Sequence, residues 1–304
     1  MTADIQCTAL AKYYNGVKAL DGLGLELEIS RPKSIVGPNG AGKSTLIAIL
    51  CGFIRPSSGT ARILGHAPHR ADIKGKISLL PQDTALFKGI DAFSQLVHFA
   101  RLHGLDKKQA KKEAERVISL VQADKFMQQL PETLSFGQRK RIMLAQALMG
   151  KPSFILMDEP TSGLDPVAAN EVRRLLQQLG TEYAIVISSH NLAEIEDICS
   201  DIVILNKGKL VAQNNIAELN RSSQCFSLKL EAGVDTDLAD ILSGLNDISR
   251  IESAVHDATT YLIYYETDIV EQLQAQILTL LAEKRVAIVE MKKGKALADE
   301  ISDI

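Results

Sequence analysis

The stretch of sequence that most constrains the fold is "GPNGAGKST" at residues 37–45. It fits the pattern G-x-x-x-x-G-K-[ST], whose glycines let successive backbone N–H groups curl around a phosphate. The apolar run "SIVG" at 34–37 predicts a buried strand before the loop, and "STLIAIL" at 44–50 predicts a helix after it. A phosphate loop in this setting predicts a nucleotide-binding α/β domain.

Two acidic residues at the end of a later strand complete the expected phosphate chemistry. Lys43 is predicted to reach the β- and γ-phosphate oxygens, and Ser44 to ligate Mg²⁺. In "FILMDEP" at 154–160, Asp158 ends a strand that we expect to neighbour the phosphate loop, and it would hold Mg²⁺ through water. Glu159 is predicted to polarise an attacking water. The alternative is that both acids only cap the strand before Pro160.

Short apolar runs alternate with helical patterns through about residue 220, which predicts an α/β domain (1–220) around a largely parallel sheet. "FILMD" at 154–158 and "AIVIS" at 184–188 predict strands, and the segment between them predicts a helix. Residues 84–150 are polar and helical by pattern, so we expect a helical subdomain standing off the sheet. The apolar positions of the helix between the two strands are Val172, Leu175, Leu176 and Leu179.

The pattern changes after "NRSSQC" at 220–225, a short polar stretch that predicts a linker. Beyond it, Phe226, Leu228 and Leu230 alternate with polar residues, as in a half-buried strand. A helical pattern, a strand pair with a turn at His256–Asp257, a second helix and a last strand follow. The order βαββαβ predicts a small α+β, ferredoxin-like domain over 221–304. The predicted helix positions are Leu238, Ile241, Leu242 and Leu245, then Ile269, Leu273, Ile277, Leu280 and Leu281.

Composition and charge exclude several classes of protein. The chain of 304 residues is 46% hydrophobic and 23% charged, which is typical of a soluble globular protein. A net charge of −3 gives no reason to expect binding to nucleic acid, which needs clustered positive charge. The longest apolar stretch near the N-terminus, "LIAILCGFI" at 46–54, is too short to span a membrane, and no signal peptide is expected.

Cysteine spacing gives no sign of a disulfide framework, and histidine spacing offers one pair as candidate metal ligands. The four cysteines, Cys7, Cys51, Cys199 and Cys225, lie far apart and predict reduced thiols. His66 and His69 have ligand-like spacing, but two surface histidines are the simpler interpretation.

A second turn of small residues opens "LSFGQRKRIMLAQAL" at 134–148. Ser135 and Gln138 have the spacing of a capping box that starts a helix, whose inward positions would be Ile142, Ala145 and Leu148. The basic run "RKR" at 139–141 is predicted to lie on the solvated face of that helix; the alternative is that it pairs with acidic groups across a dimer. Because N–H groups at a helix N-terminus also bind phosphate, the turn has the chemistry of a second phosphate site.

Four motifs, "GPNGAGKST", "LSFGQ", "ILMDEPTSGLDP" and "ISSH", occur in this order. Together they resemble the ATPase subunit of an ATP-binding-cassette (ABC) transporter, over about residues 4–220. The resemblance implies a P-loop NTPase fold of the ABC type with a helical subdomain. It also implies that ATP and Mg²⁺ bind, and that two copies meet head to tail in the ATP state. Each signature turn ("LSFGQ") would then close on the ATP held by the other copy.

The resemblance also implies roles for single residues. Gln82 matches the glutamine that senses Mg²⁺ and the attacking water, and His190 matches the histidine that contacts the γ-phosphate. Asp165 matches the aspartate that communicates across the dimer. Tyr14 matches the aromatic residue that stacks on adenine, with Tyr13 as its rival. The expected catalytic residues are therefore Glu159, His190 and Gln82; the metal-binding residues are Ser44, Gln82 and Asp158; and the nucleotide-binding residues are Tyr14, Gly37, Pro38, Asn39, Gly40, Ala41, Gly42, Lys43, Ser44, Thr45, Ser135, Gly137, Gln138 and Asp165.

By the same resemblance, we expect a cytoplasmic subunit that lies peripherally on the inner face of the cell membrane and powers an exporter. Its partner would be a separate transmembrane permease that contacts the stretch 83–105, and its substrate would be a drug, lipid or polysaccharide. The alternative is a soluble ABC-type ATPase that acts on a ribosome, DNA or metal-cluster assembly. The C-terminal domain could bind a regulatory ligand, although an added dimer contact or no specific role is the simpler expectation.

Overall fold

The computed structural model describes residues 4–82, 85–190, 195, 198–215, 225–231, 238–254, 257–267 and 269–293. The chain divides into two compact units, Met1–Asn214 and Asn215–Ile304. The linker predicted at 220–225 lies, apart from Cys225, outside the described residues, as do Asp83, Thr84 and His256.

Two sheets form the first unit. A three-stranded antiparallel sheet has the order β2-β1-β4, and a six-stranded sheet has the order β5-β6-β7-β3-β8-β9. Neighbours from β5 through β8 in this order run parallel, as the alternating sequence pattern predicts. The strands are β1 (Ile5–Tyr14), β2 (Val17–Leu27), β3 (Lys33–Val36), β4 (Ser58–Ile63), β5 (Ile77–Leu80), β6 (Phe154–Asp158), β7 (Ala184–Ser189), β8 (Asp201–Asn206) and β9 (Lys209–Asn215).

The order of the parallel strands corrects one expectation. Strand β6, which ends at Asp158, is not the neighbour of β3, because β7 pairs with both of them. The order of strands along the chain does not give their order in the sheet, since each crossover can pass over a neighbouring strand. As a result, the end of β7 lies between the phosphate loop and Asp158.

Five helices complete the first unit in the part that the structure describes: α1 (Lys43–Leu50), α2 (Ala92–Leu102), α3 (Lys107–Leu120), α4 (Phe136–Ala147) and α5 (Pro166–Leu179). Aspartate or serine side chains cap four of them by accepting from backbone N–H groups of the first turn, at Asp91, Asp106, Ser135 and Asp165. Leu46, Ile47 and Leu50 of α1 share one core cluster with residues of both sheets. This packing fixes the phosphate loop between β3 and α1.

The basic run at 139–141 does not lie on a solvated face, which corrects the sequence interpretation. Lys140 is only 5% exposed, and Arg141 pairs with Glu171 at 2.9 Å. The Arg139 guanidinium lies over the ring of Phe136, 4.4 Å from its centre. Helix α4 packs against α2, α3 and α5, so most of its circumference is covered. Ile142, Ala145 and Leu148 are fully buried, as predicted.

The second unit contains β10 (Cys225–Leu230), α6 (Leu238–Leu242), β11 (Ile248–Ala254), β12 (Asp257–Tyr265), α7 (Val270–Glu283) and β13 (Ile288–Lys293). Its four strands form one antiparallel sheet in the order β11-β12-β10-β13. Phe226 and Leu228 pack with Leu273 and Ile277 in a separate core. Helix α6 ends before Leu245, which was predicted to lie on it, because Gly244 is a poor helix former and the chain turns there.

All four cysteines are free, as predicted. Burial raises the pKa of Cys7 and of Cys199 to about 12, and burial together with the Asp158 charge raises the pKa of Cys51 to about 12. Among the described residues, no helix combines the length and apolar character that crossing a bilayer requires.

These pKa values predict slow reaction of the native thiols at pH 8. A thiol whose pKa lies well above the solution pH carries little of the thiolate that reacts. We expect Cys7, Cys51 and Cys199 to react with a disulfide reagent at least about 10-fold more slowly in the native chain than in urea. Mass spectrometry of labelled peptides measures each site. Rapid labelling of Cys51 in the native chain would contradict the assignment.

Candidate functional site

The phosphate loop owes its shape to glycines that approach other backbone closely. A Cβ added to Gly37 would lie 2.2 Å from the Leu205 carbonyl oxygen, which no side chain tolerates. Gly42 has φ +103°, and a Cβ there would lie 2.5 Å from the Ala19 carbonyl oxygen. Pro38, Asn39 and Gly40 form the exposed crown of the loop. The loop can therefore present its N–H groups to a phosphate without side chains in the way.

Lys43 places a cation inside this loop. The residue is 5% exposed, and its Nζ donates to the carbonyl oxygens of Gly37 at 2.7 Å and Pro38 at 3.2 Å. The same Nζ lies 3.6 Å from Oε1 of Glu159. Ser44 is exposed on the first turn of α1, and Thr45 is half-buried beside it, whereas Ala41 is buried. The cation is thus held at the point where the loop would enclose a phosphate.

Glu159 lies between Lys43 and a histidine. Its Oε2 is 3.0 Å from Nδ1 of His190, which follows strand β7 and is half-exposed. Glu159 itself is only 7% exposed. Its φ of +47° is unusual for a residue with a side chain. Such strain persists only where the surroundings hold it, and it is enriched at functional sites.

A serine that sequence reasoning did not single out holds the two acids in place. The Ser188 hydroxyl donates to Oδ1 of Asp158 and accepts from the Glu159 N–H at 3.1 Å. The Glu159 N–H also lies 3.2 Å from the Ser188 carbonyl oxygen. Ser188 is fully buried in β7, the strand between the acids and the phosphate loop. In the sequence, the signal that could have identified Ser188 is the polar pair "SS" at the end of a buried strand.

The signature turn, residues 134–138, forms the capping box that its sequence predicts. Ser135 Oγ accepts from the Gln138 N–H at 3.2 Å, and Gln138 Oε1 accepts from the Ser135 N–H at 2.9 Å. A Cβ added to Gly137 would lie 3.0 Å from Cβ of Ala168, so the starts of α4 and α5 pack side by side. Asp165 caps α5 by accepting from the Val167 and Ala168 N–H groups at 3.0 Å each.

The structure thus separates the predicted residues into two groups. Gln82 lines a cavity of about 430 Å³ together with Phe136 of the signature helix and Gly163, two residues before Asp165. In contrast, within the described part of the chain, the side chains of Lys43 and Glu159 bond to the phosphate loop and His190, and not to the signature turn. Within one chain, Lys43, Glu159 and His190 therefore form a phosphate-loop group. The signature turn and Gln82 belong to a second group, which we call the signature group.

The two tyrosines remain equivalent by exposure. Tyr13 and Tyr14 are 43% and 44% exposed near the end of β1, and the ammonium of Lys12 lies 5.1 Å from the centre of the Tyr14 ring. Within the described residues, no group of three or more His, Cys, Asp or Glu side chains could hold a metal ion. His66 instead lies 3.7 Å from Asp72, its carboxylate neighbour.

Comparisons with known proteins agree with this geometry. A family model described as "ABC transporter" matches residues 20–162. The linearmycin resistance ATP-binding protein LnrL of Bacillus subtilis (strain 168) is 31% identical over 287 residues, which cover 92% of this chain and 89% of LnrL. The daunorubicin/doxorubicin resistance ATP-binding protein DrrA of Streptomyces peucetius is 32% identical over 234 residues, which cover 75% of this chain and 70% of DrrA. The structure of cbiO1 from Clostridium perfringens, part of the ABC transporter complex cbiONQ, has a TM-score of 0.66 and 26% identity, covering 72% of this chain and 91% of cbiO1.

Proposed function

The chain belongs to the ABC transporter family as an ATPase, and on that premise we propose that it powers a membrane transporter whose spanning part is a separate protein. The observation that carries the proposal is the Lys43–Glu159–His190 arrangement, a buried cation and a base at a phosphate loop. Members of this family bind ATP or ADP. The names of LnrL and DrrA, resistance ATP-binding proteins, support an exporter of drug-like molecules.

We propose that Glu159 acts as the general base for an attacking water. Its carboxylate is buried and held by Lys43 and His190, so it keeps a fixed direction. When ATP binds, the Lys43 ammonium exchanges its carbonyl partners for β- and γ-phosphate oxygens and neutralises their charge. His190 then orients Glu159 and the γ-phosphate. Gln82, which lines the cavity beside Phe136 of the signature helix, would respond to the bound ATP by moving towards this site.

The donor set fits Mg²⁺, which prefers oxygen ligands and is usually held by one or two protein groups together with phosphates. Ser44 and Asp158 would supply a hydroxyl and a carboxylate, and Gln82 an amide oxygen. The hydrogen bond from Ser188 orients the Asp158 carboxylate for this role. Bound Mg²⁺ would neutralise charge on the β- and γ-phosphates.

We propose that ATP joins two copies of the chain head to tail. The signature turn carries backbone N–H groups at a helix start, yet Lys43 and Glu159 of the same chain bond elsewhere. A second copy would bring Ser135, Gly137 and Gln138 onto this ATP, with Asp165 beside the interface. The two phosphate sites of one chain would then belong to two different nucleotides.

Mixing two inactive variants tests this arrangement. Lys43→Met removes the phosphate-loop cation and Ser135→Arg blocks the signature turn, so each variant alone should be inactive. A mixed dimer contains one site built from the two intact halves, and ATP turnover should therefore return on mixing. If each chain completed its own site, mixing would restore nothing. Sedimentation with and without ATP gives the dimer population independently.

The loss of adenine stacking on substitution would show whether Tyr14 or Tyr13 binds the base. We expect Tyr14→Ala to raise the KM for ATP about 5- to 20-fold, because stacking on a base contributes roughly 1–3 kcal/mol. Tyr13→Ala is the matched control, since both side chains are similarly exposed. Steady-state kinetics over a range of ATP concentrations measures both variants. A larger effect at Tyr13 would reverse the assignment.

We propose that the membrane partner contacts a groove beside α2. Phe53 is 70% exposed and lines a cavity of about 250 Å³ with Leu79, Phe99 and His103. Exposed apolar surface at a concave site suits a short helix of a partner protein. Binding there would place the chain peripherally on the cytoplasmic face of the membrane. The predicted stretch 83–105 includes Phe99 and His103, while Asp83 and Thr84 lie outside the described residues.

We also infer a domain plan of an ABC ATPase domain over 1–220, with a helical subdomain over about 84–150, and a small α+β domain over 221–304. The antiparallel sheet order of the second unit, together with two helices between its strands, supports a ferredoxin-like architecture for that domain. The alternative role, an ATPase acting on a ribosome, DNA or metal-cluster assembly, is less favoured because the relatives are named for resistance.

A further inference from the structure

Gln95 of helix α2 is a buried polar side chain that the proposed mechanism does not use. The residue is 1% exposed, although glutamine is mostly found at protein surfaces. Its Oε1 accepts from the Phe87 N–H at 2.8 Å, and its Nε2 donates to the carbonyl oxygens of Phe87 at 3.0 Å and Ile90 at 2.7 Å. A backbone N–H can only donate and a carbonyl can only accept, so this chemistry fixes the orientation of the amide.

All three bonds go to residues 85–90, which we name the connecting segment. Gln95 gives Phe87 the paired donor and acceptor that a neighbouring strand would provide. The Phe87 ring also stacks on Phe99 of α2, with 5.8 Å between ring centres. The connecting segment, which has neither a helix nor a strand of its own, is therefore fixed to α2.

A second bond ties the connecting segment to the approach of the signature turn. The Gly89 N–H donates to Oε1 of Glu132 at 2.8 Å. Glu132 lies in the short 3₁₀ turn Pro131–Thr133, three residues before Ser135. This bond crosses 43 residues of sequence and is exposed, in contrast to the part-buried bonds of Gln95.

The connecting segment also lines the cavity that contains Gln82. It begins three residues after Gln82, and Ala85, Leu86 and Lys88 line the cavity of about 430 Å³ that Gln82 shares with Phe136. The connecting segment is therefore bonded at Phe87 to α2 and at Gly89 to the turn that precedes the signature turn.

We propose that Gln95 and Glu132 are positioning residues that make the segment after Gln82 and the signature turn move as one body. This inference rests on the proposed function, because it assigns a consequence to movement at Gln82 when ATP binds. Gln95 and Glu132 touch neither the nucleotide nor the attacking water. They act by setting where the signature turn lies when the second copy closes.

The expected kinetic effect follows from that placement. The phosphate loop is untouched by either residue, so the KM for ATP should stay within about twofold of the unchanged chain. Closure of the signature turn belongs to the catalytic step, so kcat should fall, by about 3- to 30-fold, the range expected for residues that carry coupling. A residue that only stabilised the fold would lower the fraction of active protein. It would not change hydrogen–deuterium exchange in segments that it does not contact.

Four variants test the proposal. Gln95→Leu keeps the volume of the side chain and removes all three hydrogen bonds. Glu132→Ala removes the bond to Gly89 at an exposed position that tolerates change, whereas Glu132→Gln keeps an oxygen that can accept it. Gln276→Leu, at an exposed position on α7, is the matched control for the chemical change. For each variant we would measure kcat, the KM for ATP and hydrogen–deuterium exchange of peptides covering 85–90 and 131–138.

The proposal requires that Gln95→Leu and Glu132→Ala lower kcat with an unchanged KM, and that Glu132→Gln and Gln276→Leu match the unchanged chain. In Gln95→Leu and Glu132→Ala, hydrogen–deuterium exchange at residues 85–90 should rise. In these two variants, added ATP should no longer protect residues 85–90 and 131–138 together. The proposal would be overturned if Glu132→Ala kept the kcat of the unchanged chain and if ATP still protected residues 85–90 and 131–138 together in that variant. If the unchanged chain shows no turnover, the proposed function fails, and the exchange data still decide the inference.

Discussion

Replacing Glu159 with glutamine is expected to lower ATP turnover about 100- to 1,000-fold and to leave ATP binding intact. The carboxylate is buried between Lys43 and His190, and an amide of the same shape keeps the packing but cannot take a proton from water. Because ATP would still bind and could not be cleaved, two copies should stay joined. Phosphate release measures turnover, and sedimentation with ATP measures the dimer.

A matched control exists on helix α5. Glu171 pairs with Arg141 at the surface, so Glu171→Gln makes the same chemical change away from the site. We expect its turnover to match that of the unchanged chain. Full turnover by Glu159→Gln would mean that another group activates the water.

The second large effect is expected at Lys43. Lys43→Met should reduce ATP affinity at least about 10-fold and bring turnover down to background, because the variant loses a charge-assisted contact to phosphate. It also removes the cation beside a buried carboxylate, so Glu159 would lose its contact with Lys43 and retain its contact with Nδ1 of His190. Calorimetric titration with ATP measures the affinity.

Lys111→Met on the exposed face of α3 controls for the loss of one positive charge. Its ATP affinity should be unchanged. If Lys43→Met bound ATP as tightly as the unchanged chain and still turned over, the phosphate loop would not be the nucleotide site.

The local parts of the site could be predicted from the sequence because each depends on neighbours within a few residues. The phosphate loop, the capping box of Ser135 with Gln138, and the buried face of α4 follow from short-range spacing and are present in the structure. The pairing of β11 with β12 agrees with the predicted strand pair, although Asp257, predicted to lie in the turn, belongs to β12.

What the sequence could not give depends on long-range packing. The insertion of β7 between β3 and β6, and with it the role of Ser188, is set by the sheet order. Glu159 has a left-handed backbone at the point where its N–H bonds to Ser188 across that sheet. Lys140 lies in a basic run, yet it is only 5% exposed on a helix that packs against three others.

The measurement that tests the central claim most directly is affinity purification of the Glu159→Gln chain, with ATP, from detergent-solubilised membranes. The account predicts that a polytopic membrane protein co-purifies in a fixed ratio to the chain, and that Phe53→Asp, in the proposed groove, reduces its recovery. A homodimer joined by ATP and carrying no membrane protein would contradict the transporter role and leave the ATP-binding site standing.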